Sequence, residues 1–392
     1  MAPSPILNLL RQTYALGNQE VLVNLCVSIV HPMTIAASLF GGYLEKKIGI
    51  RRLFTWAQLF LTVGILGNLV ANTYLLFLLM RIVFSVGFGL AIPFIGSAII
   101  QWYGETGRDR MNTLNGMFPF LGTLISFAGM QPLAETLGSW KPALGLWGIG
   151  SLVLLVLWML LIRDRDIPHR GEPEEVDAGL YSALWKIRDI RLLCTVFVLD
   201  FFCYSYLAVV LPTFLAEAGG MTEREAGVWA ALAFPAVGIL GSILGGALMS
   251  ATGRRKPILA AGQLVKLAGI LVLTLGVNHS VWIGIAGAAV FGIGNGMWMP
   301  TMYAMPMEMK GMTPSGVGPA FALISACGFA AGFISPVLGG WLTNLLSAAS
   351  GAALPEAQHV FGLKWSLLAI GMSNLVSFLV ALRLKETHPS QS

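Results

Sequence analysis

The sequence predicts an all-α polytopic membrane protein. Three observations predict it. Charged residues are 11% of the 392-residue chain and hydrophobic residues 56%, where ordinary soluble domains carry roughly 25% charged residues. Mean hydropathy is +0.75. The apolar residues gather in runs long enough to cross a hydrocarbon core of about 30 Å as helix. So few charges could not cover a soluble surface, which excludes a soluble enzyme, a nucleic-acid-binding module and a disordered chain. Alternation of the kind a β-barrel needs is absent.

Eleven runs qualify: 22–43, 53–71, 74–101, 113–133, 142–163, 192–216, 225–250, 257–277, 280–304, 317–346 and 364–383. The run 317–346 is too long for one straight crossing, so it tilts or overshoots. Lys and Arg in the connections set the orientation. Alternate connections at 44–52, 102–112, 163–191, 251–256, 305–316 and beyond 383 carry 18, and the opposite set carries 4. The expectation is a cytoplasmic C-terminus and an external N-terminus, in the plasma membrane. Cys26, Cys194, Cys203 and Cys327 all fall in apolar runs, without metal-site spacing.

Two halves repeat. Gly42-Tyr43-Leu44-Glu45-Lys46-Lys47-Ile48-Gly49-Ile50-Arg51-Arg52 returns as Gly246-Ala247-Leu248-Met249-Ser250-Ala251-Thr252-Gly253-Arg254-Arg255-Lys256. Gly87-x-Gly89-x-x-x-Pro93 returns as Gly294-x-Gly296-x-x-x-Pro300. A charged stretch, 164–191, separates them, with an interfacial helix expected at Leu180, Leu184, Trp185 and Ile187.

In these motifs the chain resembles the major facilitator superfamily of secondary transporters over nearly its whole length. The resemblance implies two pseudo-symmetric helix bundles: 1–163, then a linker 164–191, then 192–392. The gating-loop motif would comprise Gly42, Leu44, Glu45, Gly49, Arg51, Arg52, Gly246, Gly253, Arg254 and Arg255. The family's usual acid of this loop is replaced by Lys46 and, in the second copy, by Ser250. The family pattern is six spans plus six, and five precede the linker here. The repeat offset places the missing first helix at about residues 1–12, of which Pro3–Leu10 resembles the tail. A start codon assigned downstream and a truncation are both open.

Asp200 is the only acid inside a span, and an ionisable residue in lipid is a functional candidate by default. It is read as a proton-binding carboxylate, with Tyr204 one turn later. By the resemblance, the span holding Asp200 lines a central cavity, and Arg81 matches the family's arginine in the fourth helix. Arg81 offers a planar fork for a carboxylate or similar anion. Depth places Asp200 and Arg81 in opposite halves of the bilayer, so no direct pair between them is expected. Lys266 is read as a peripheral lysine that snorkels to the interface. His31, ahead of Pro32, and Asn295 and Trp298 are further candidate cavity residues. Pro32, Pro93, Pro235, Pro300 and Pro336 mark expected kinks, and Gly241-x-x-x-Gly245 marks close helix packing rather than dimerisation.

Seven of 17 methionines fall between 297 and 312. Met305-x-x-x-Met309 has ligand spacing for Cu(I), but Pro306 is expected to interrupt that helix, so packing is the preferred reading. No zinc-protease, nucleophile-elbow or nucleotide-binding motif occurs. The expectation is a monomeric, non-enzymatic, proton-coupled symporter of a small organic or inorganic anion, without cofactor or metal. It resembles the bacterial cyanate, nitrate and monocarboxylate branches. Proton-driven drug efflux is one alternative, weakened because 122–132 lacks the family's antiporter signature. A non-transporting membrane receptor or scaffold is the other.

Overall fold

The computed structural model describes residues 3–17, 19–103, 105–162, 179–309, 312 and 314–387; the side chains of several residues inside helices, Gly42 and Glu45 among them, lie outside the described set. The helices are α1 (Leu7–Thr13), α2 (Glu20–Ser28), α3 (Val30–Ile48), α4 (Ile50–Leu66), α5 (Tyr74–Trp102), α6 (Glu105–Thr136), α7 (Trp140–Leu161) and α8 (Gly179–Lys186). There follow α9 (Arg188–Gly219), α10 (Glu223–Ala231), α11 (Val237–Thr252), α12 (Lys256–Gly276), α13 (Val281–Glu308), α14 (Pro314–Ala349), α15 (Pro355–Gly371) and α16 (Ser373–Ala381). Among the described residues, 11 stretches are long and apolar enough to cross a membrane. They match the 11 expected runs one for one, with α2–α3, α10–α11 and α15–α16 each forming a single span.

The boundaries differ where polarity hides helix. The last span begins at Pro355 rather than 364, because Glu356, Gln358 and His359 are polar yet helical, and Pro355 suits the first helical position. The run expected at 317–346 lies within a single helix of 36 residues, Pro314–Ala349, about 54 Å of helix. Pro306 does not interrupt α13, which runs on to Glu308. Neighbouring helices can satisfy the carbonyl that a membrane proline frees. Met302, Met305 and Met309 are buried with Leu193, Trp298 and Ile324 in one apolar cluster, the packing reading of the methionine run.

Two prolines show how the chain tolerates them. Proline at position i leaves the carbonyl of residue i−4 without its helical N–H. Pro32 frees the carbonyl of Ser28, where α2 gives way to α3 at Ile29. Pro336 frees the carbonyl of Gly332, and the Ser205 hydroxyl of α9 donates to it at 2.9 Å. Pro235 sits in a π-helical turn, Leu232–Ala236, between α10 and α11.

The repeated glycines do the same job in each half. A Cβ on Gly87 would lie 2.6 Å from Leu61 N of α4, and one on Gly89 would lie 2.5 Å from Thr34 O of α3. A Cβ on Gly294 would lie 2.7 Å from Lys266 N of α12, and one on Gly296 would lie 2.5 Å from Ser242 N of α11. Thus α5 packs on α4 and α3 as α13 packs on α12 and α11, backbone against backbone. Gly241 and Gly245 face Ile293 and Met297 of α13 in the same seam, so that motif packs within the chain.

Buried hydroxyls and amides tie the remaining helices, as expected where lipid offers no hydrophobic drive between them. The Tyr206 hydroxyl lies 2.8 Å from Thr343 Oγ1 and 2.7 Å from Ser366 Oγ, joining α9, α14 and α15. Gln58 Nε2 donates to Ser151 Oγ at 2.9 Å, joining α4 and α7. Between the halves, Asn24 Nδ2 of α2 donates to Pro336 O of α14 at 3.0 Å.

Candidate functional site

The expected candidates fall into two groups, one in each half. In the second half, Asp200 of α9 is 1% exposed and Lys266 of α12 is fully buried. The Lys266 ammonium donates to Asp200 Oδ1. Gln263, one turn before Lys266, donates from Nε2 to the same oxygen at 3.1 Å. The ammonium also stands 5.1 Å from the Phe291 ring centre and 5.9 Å from that of Trp298, both on α13. An aromatic face attracts a cation, and more so where water is excluded.

This overturns the reading of Lys266 as a snorkelling lysine. Its position on α12 puts it against Gly294, and the missing side chain there leaves room for the lysine stem to run inward. A buried ammonium without a counter-charge would be prohibitive, and Asp200 supplies the charge. Sequence reasoning missed the pair because 66 residues separate its members. The signal available was the presence of one acid and one lysine in otherwise uncharged spans.

Trp298 and Asn295 join this group. Both are 1% exposed, and Trp298 Nε1 donates to Asn295 Oδ1 at 3.5 Å. Gln263 Oε1 is buried without a hydrogen-bond partner, an unused acceptor beside the ion pair. Tyr204 points elsewhere. Its ring packs 5.3 Å from that of Phe201 and 5.7 Å from that of Phe234.

In the first half, Arg81 of α5 is 6% exposed. Its guanidinium carbon lies 5.3 Å from the Phe84 ring centre, and Nε is buried without a partner. No carboxylate pairs with it among the described residues. His31 and Cys26 lie within electrostatic range of it. The Asp200–Lys266 pair and Arg81 make no contact, as the depth argument expected.

The geometry of His31 follows from its neighbour. The carbonyl that Pro32 frees at Ser28 lies 2.9 Å from His31 Nδ1. A carbonyl only accepts, so Nδ1 carries the proton and a neutral ring presents Nε2 as an acceptor. That nitrogen faces α14, 2.8 Å from where a Cβ on Gly332 would sit, and the ring packs between Phe201 and Phe329 at 5.9 Å from each. His31 therefore stands between the halves.

Gly49 and Gly253 both hold positive φ, 81° and 65°, where glycine carries no steric penalty. Arg255 is buried. Its Nε and Nη2 donate to the two carboxylate oxygens of Glu308 at 3.0 and 2.7 Å, and its backbone N donates to Glu386 Oε1 at 2.7 Å. Glu308 and Glu386, which the motif did not point to, thus hold Arg255 in the copy where Ser250 replaces the family acid. Arg51 Nη2 donates to Met159 O at 3.3 Å. Arg52 and Arg254 are exposed, Leu44 is half-buried, and Gly246 abuts Thr113 of α6. The side chain of Glu45 lies outside the described residues, as does 164–178 of the linker; a short helix, α8, follows, with Leu184 buried and Trp185 and the neighbouring Ile187 exposed.

Comparison with known proteins gives concordant matches. The Major Facilitator Superfamily model matches residues 2–312 and 193–392. The probable sulfoacetate transporter SauU of Cupriavidus necator is 24% identical over 332 residues, 78% of this chain and 75% of the relative. The probable galactarate/D-glucarate transporter GudP of Escherichia coli is 23% identical over 363 residues, 81% and 78% of the two chains. Among solved structures, a bacterial homolog to the human lysosomal transporter Spinster, in an inward-facing and unoccupied conformation, superposes with a TM-score of 0.75 at 14% identity, covering 98% of this chain and 93% of that one.

Proposed function

The chain belongs to the Major Facilitator Superfamily, and from that premise we propose that it carries a small organic or inorganic anion across the plasma membrane by alternating access. The observation that carries the anion reading is Arg81: a cation 6% exposed, without a carboxylate among the described residues, its Nε unpaired. A buried guanidinium in that condition is electrically incomplete, and a planar anion completes it with two parallel hydrogen bonds. That two relatives are named as probable transporters of sulfoacetate and of galactarate and D-glucarate, all anions, supports the same class.

The face bearing the basic loops lies in the cytoplasm in this reading, following the excess of Lys and Arg there. Protons drive uphill movement, and Asp200 is the coupling carboxylate. Held by Lys266 and Gln263, it takes up a proton only as its hold on the ammonium is given up, so its protonation is tied to rearrangement of α9 against α12. The test is a pH-jump uptake screen over small carboxylates and inorganic anions, using purified protein in sealed vesicles. Accumulation of one anion, abolished by a protonophore, is expected. Saturable binding with no accumulation across that panel would overturn transport in favour of a receptor.

A further inference from the structure

On the face opposite the basic loops, four helix ends meet. Arg11 of α1 and Glu20 of α2 belong to the first half, Glu217 of α9 and His359 of α15 to the second. Arg11 Nη2 donates to Glu20 Oε1 at 2.5 Å. His359 Nδ1 lies 2.6 Å from Glu217 Oε2. His359 Nε2 faces the same Glu20 oxygen at 3.6 Å, and is otherwise buried without a hydrogen-bond partner. The imidazole therefore has a carboxylate at each nitrogen, one from each half of the molecule.

Chemistry makes this arrangement selective for one protonation state. Neutral imidazole has one N–H and one lone pair. Given to Glu217, that N–H leaves a lone pair pointing at the Glu20 carboxylate. Imidazolium presents an N–H to both. Charge balance agrees: with Arg11, Glu20 and Glu217 ionised, the cluster is neutral only when His359 is charged. The surrounding elements do not change this. On α15 itself Glu356 and Lys364 are the other charged groups. Tyr206 of α9 has its hydroxyl shared with Thr343 and Ser366. On α10, Glu223 and Arg224 are engaged by Asn8 and Glu135. Helix α14 brings no titratable side chain to this end.

We propose that His359 is a proton-binding site that gates this face: a proton on its free nitrogen clamps the two halves together, and loss of that proton releases them. The ligand is the proton of the solution bathing this face. In the orientation proposed above that solution is external, so an acidic exterior closes the gate over a loaded site and an alkaline one lets it reopen. The inference rests on alternating access but needs neither Arg81 nor any particular substrate.

The experiment reads the gate directly. Spin labels are placed at Leu137→Cys in the first half and Ala353→Cys in the second, on a chain whose four native cysteines are replaced by alanine. Distances are measured in lipid nanodiscs without solute, between about pH 5 and about pH 10.5, a range that spans the titration of a free imidazole and of one held between two carboxylates. A short distance that gives way to a longer one as pH rises is expected. His359→Gln should abolish that dependence, and His359→Lys, cationic throughout, should hold the short distance across the range. Glu20→Gln, which leaves the second half untouched, should open the gate at every pH. A distance indifferent to pH in the parent, or the same pH dependence in His359→Gln, overturns the proposal. A pH-gated distance in a protein that accumulates no solute would instead overturn the transport reading and leave this one standing.

Discussion

Asp200 and Lys266 satisfy each other's charge inside the second half, on helices that carry no other Asp, Glu, Lys or Arg at that depth. Neither residue is stable there alone. Removing one member of a buried pair leaves an uncompensated charge and costs about 3–5 kcal/mol, whereas replacing both by groups of similar volume is often neutral. Lys266→Met should therefore lower the thermal midpoint and the yield of folded protein sharply, and Asp200→Asn/Lys266→Met should recover both. If Asp200 also carries the coupled proton, the recovered double variant should exchange labelled for unlabelled solute yet fail to accumulate it with a pH gradient. Intact pH-driven accumulation in that variant would make the pair purely structural.

Arg81→Lys keeps the charge and removes the planar fork. Apparent affinity for an anionic solute should fall about tenfold, equivalent to about 1.4 kcal/mol, with little change in melting temperature. Competition uptake in vesicles measures the first and scanning fluorimetry the second. Unchanged affinity would remove Arg81 from the binding site.

The carbonyl of Gly332 provides a cycle that needs no transport assay. Ser205→Ala withdraws its hydroxyl donor and should destabilise by about 1–3 kcal/mol, the cost of an unpaired buried polar group. Pro336→Ala restores the helical N–H. In that background Ser205→Ala should cost much less, because the carbonyl has its own ladder partner again. Equal losses in both backgrounds would show that Ser205 acts through packing.

Much of this architecture was legible beforehand, and the reason differs by feature. Helix number followed from apolar length. The pairing of α5 with α13 was written in the Gly87/Gly89 and Gly294/Gly296 echo, because a glycine required by backbone contact has no substitute. Arg81, Asp200 and His31 stood out as polar residues in apolar runs. Side-chain direction was not legible: Asp200 and Tyr204 are one turn apart, yet one is held by Lys266 and the other packs on Phe201 and Phe234. Contacts distant in sequence left no trace either. Glu20 and His359 look like ordinary loop-end residues until the fold brings α2 beside α15.

Orientation has its own test. A reporter fused after Glu386 should be active only if it functions in the cytoplasm, and one inserted within 350–354 only if it functions outside. The reverse pattern would invert the sidedness assigned to His359, so that internal pH would govern that gate.

Two of the carbonyls freed by proline are points of compliance between the halves. They lie at Ser28 and Gly332, on the helices that face each other across the halves, and each is held by a side chain rather than by its own ladder. An imidazole or a hydroxyl can swivel to follow a carbonyl as the helix bends; a backbone N–H fixed in the next turn cannot. The glycine seams of α5 and α13 have no such slack, since backbone already touches backbone there. Ser28 and Gly332 are thus two places, on helices that meet between the halves, where a side chain can follow a bend without a backbone hydrogen bond being broken.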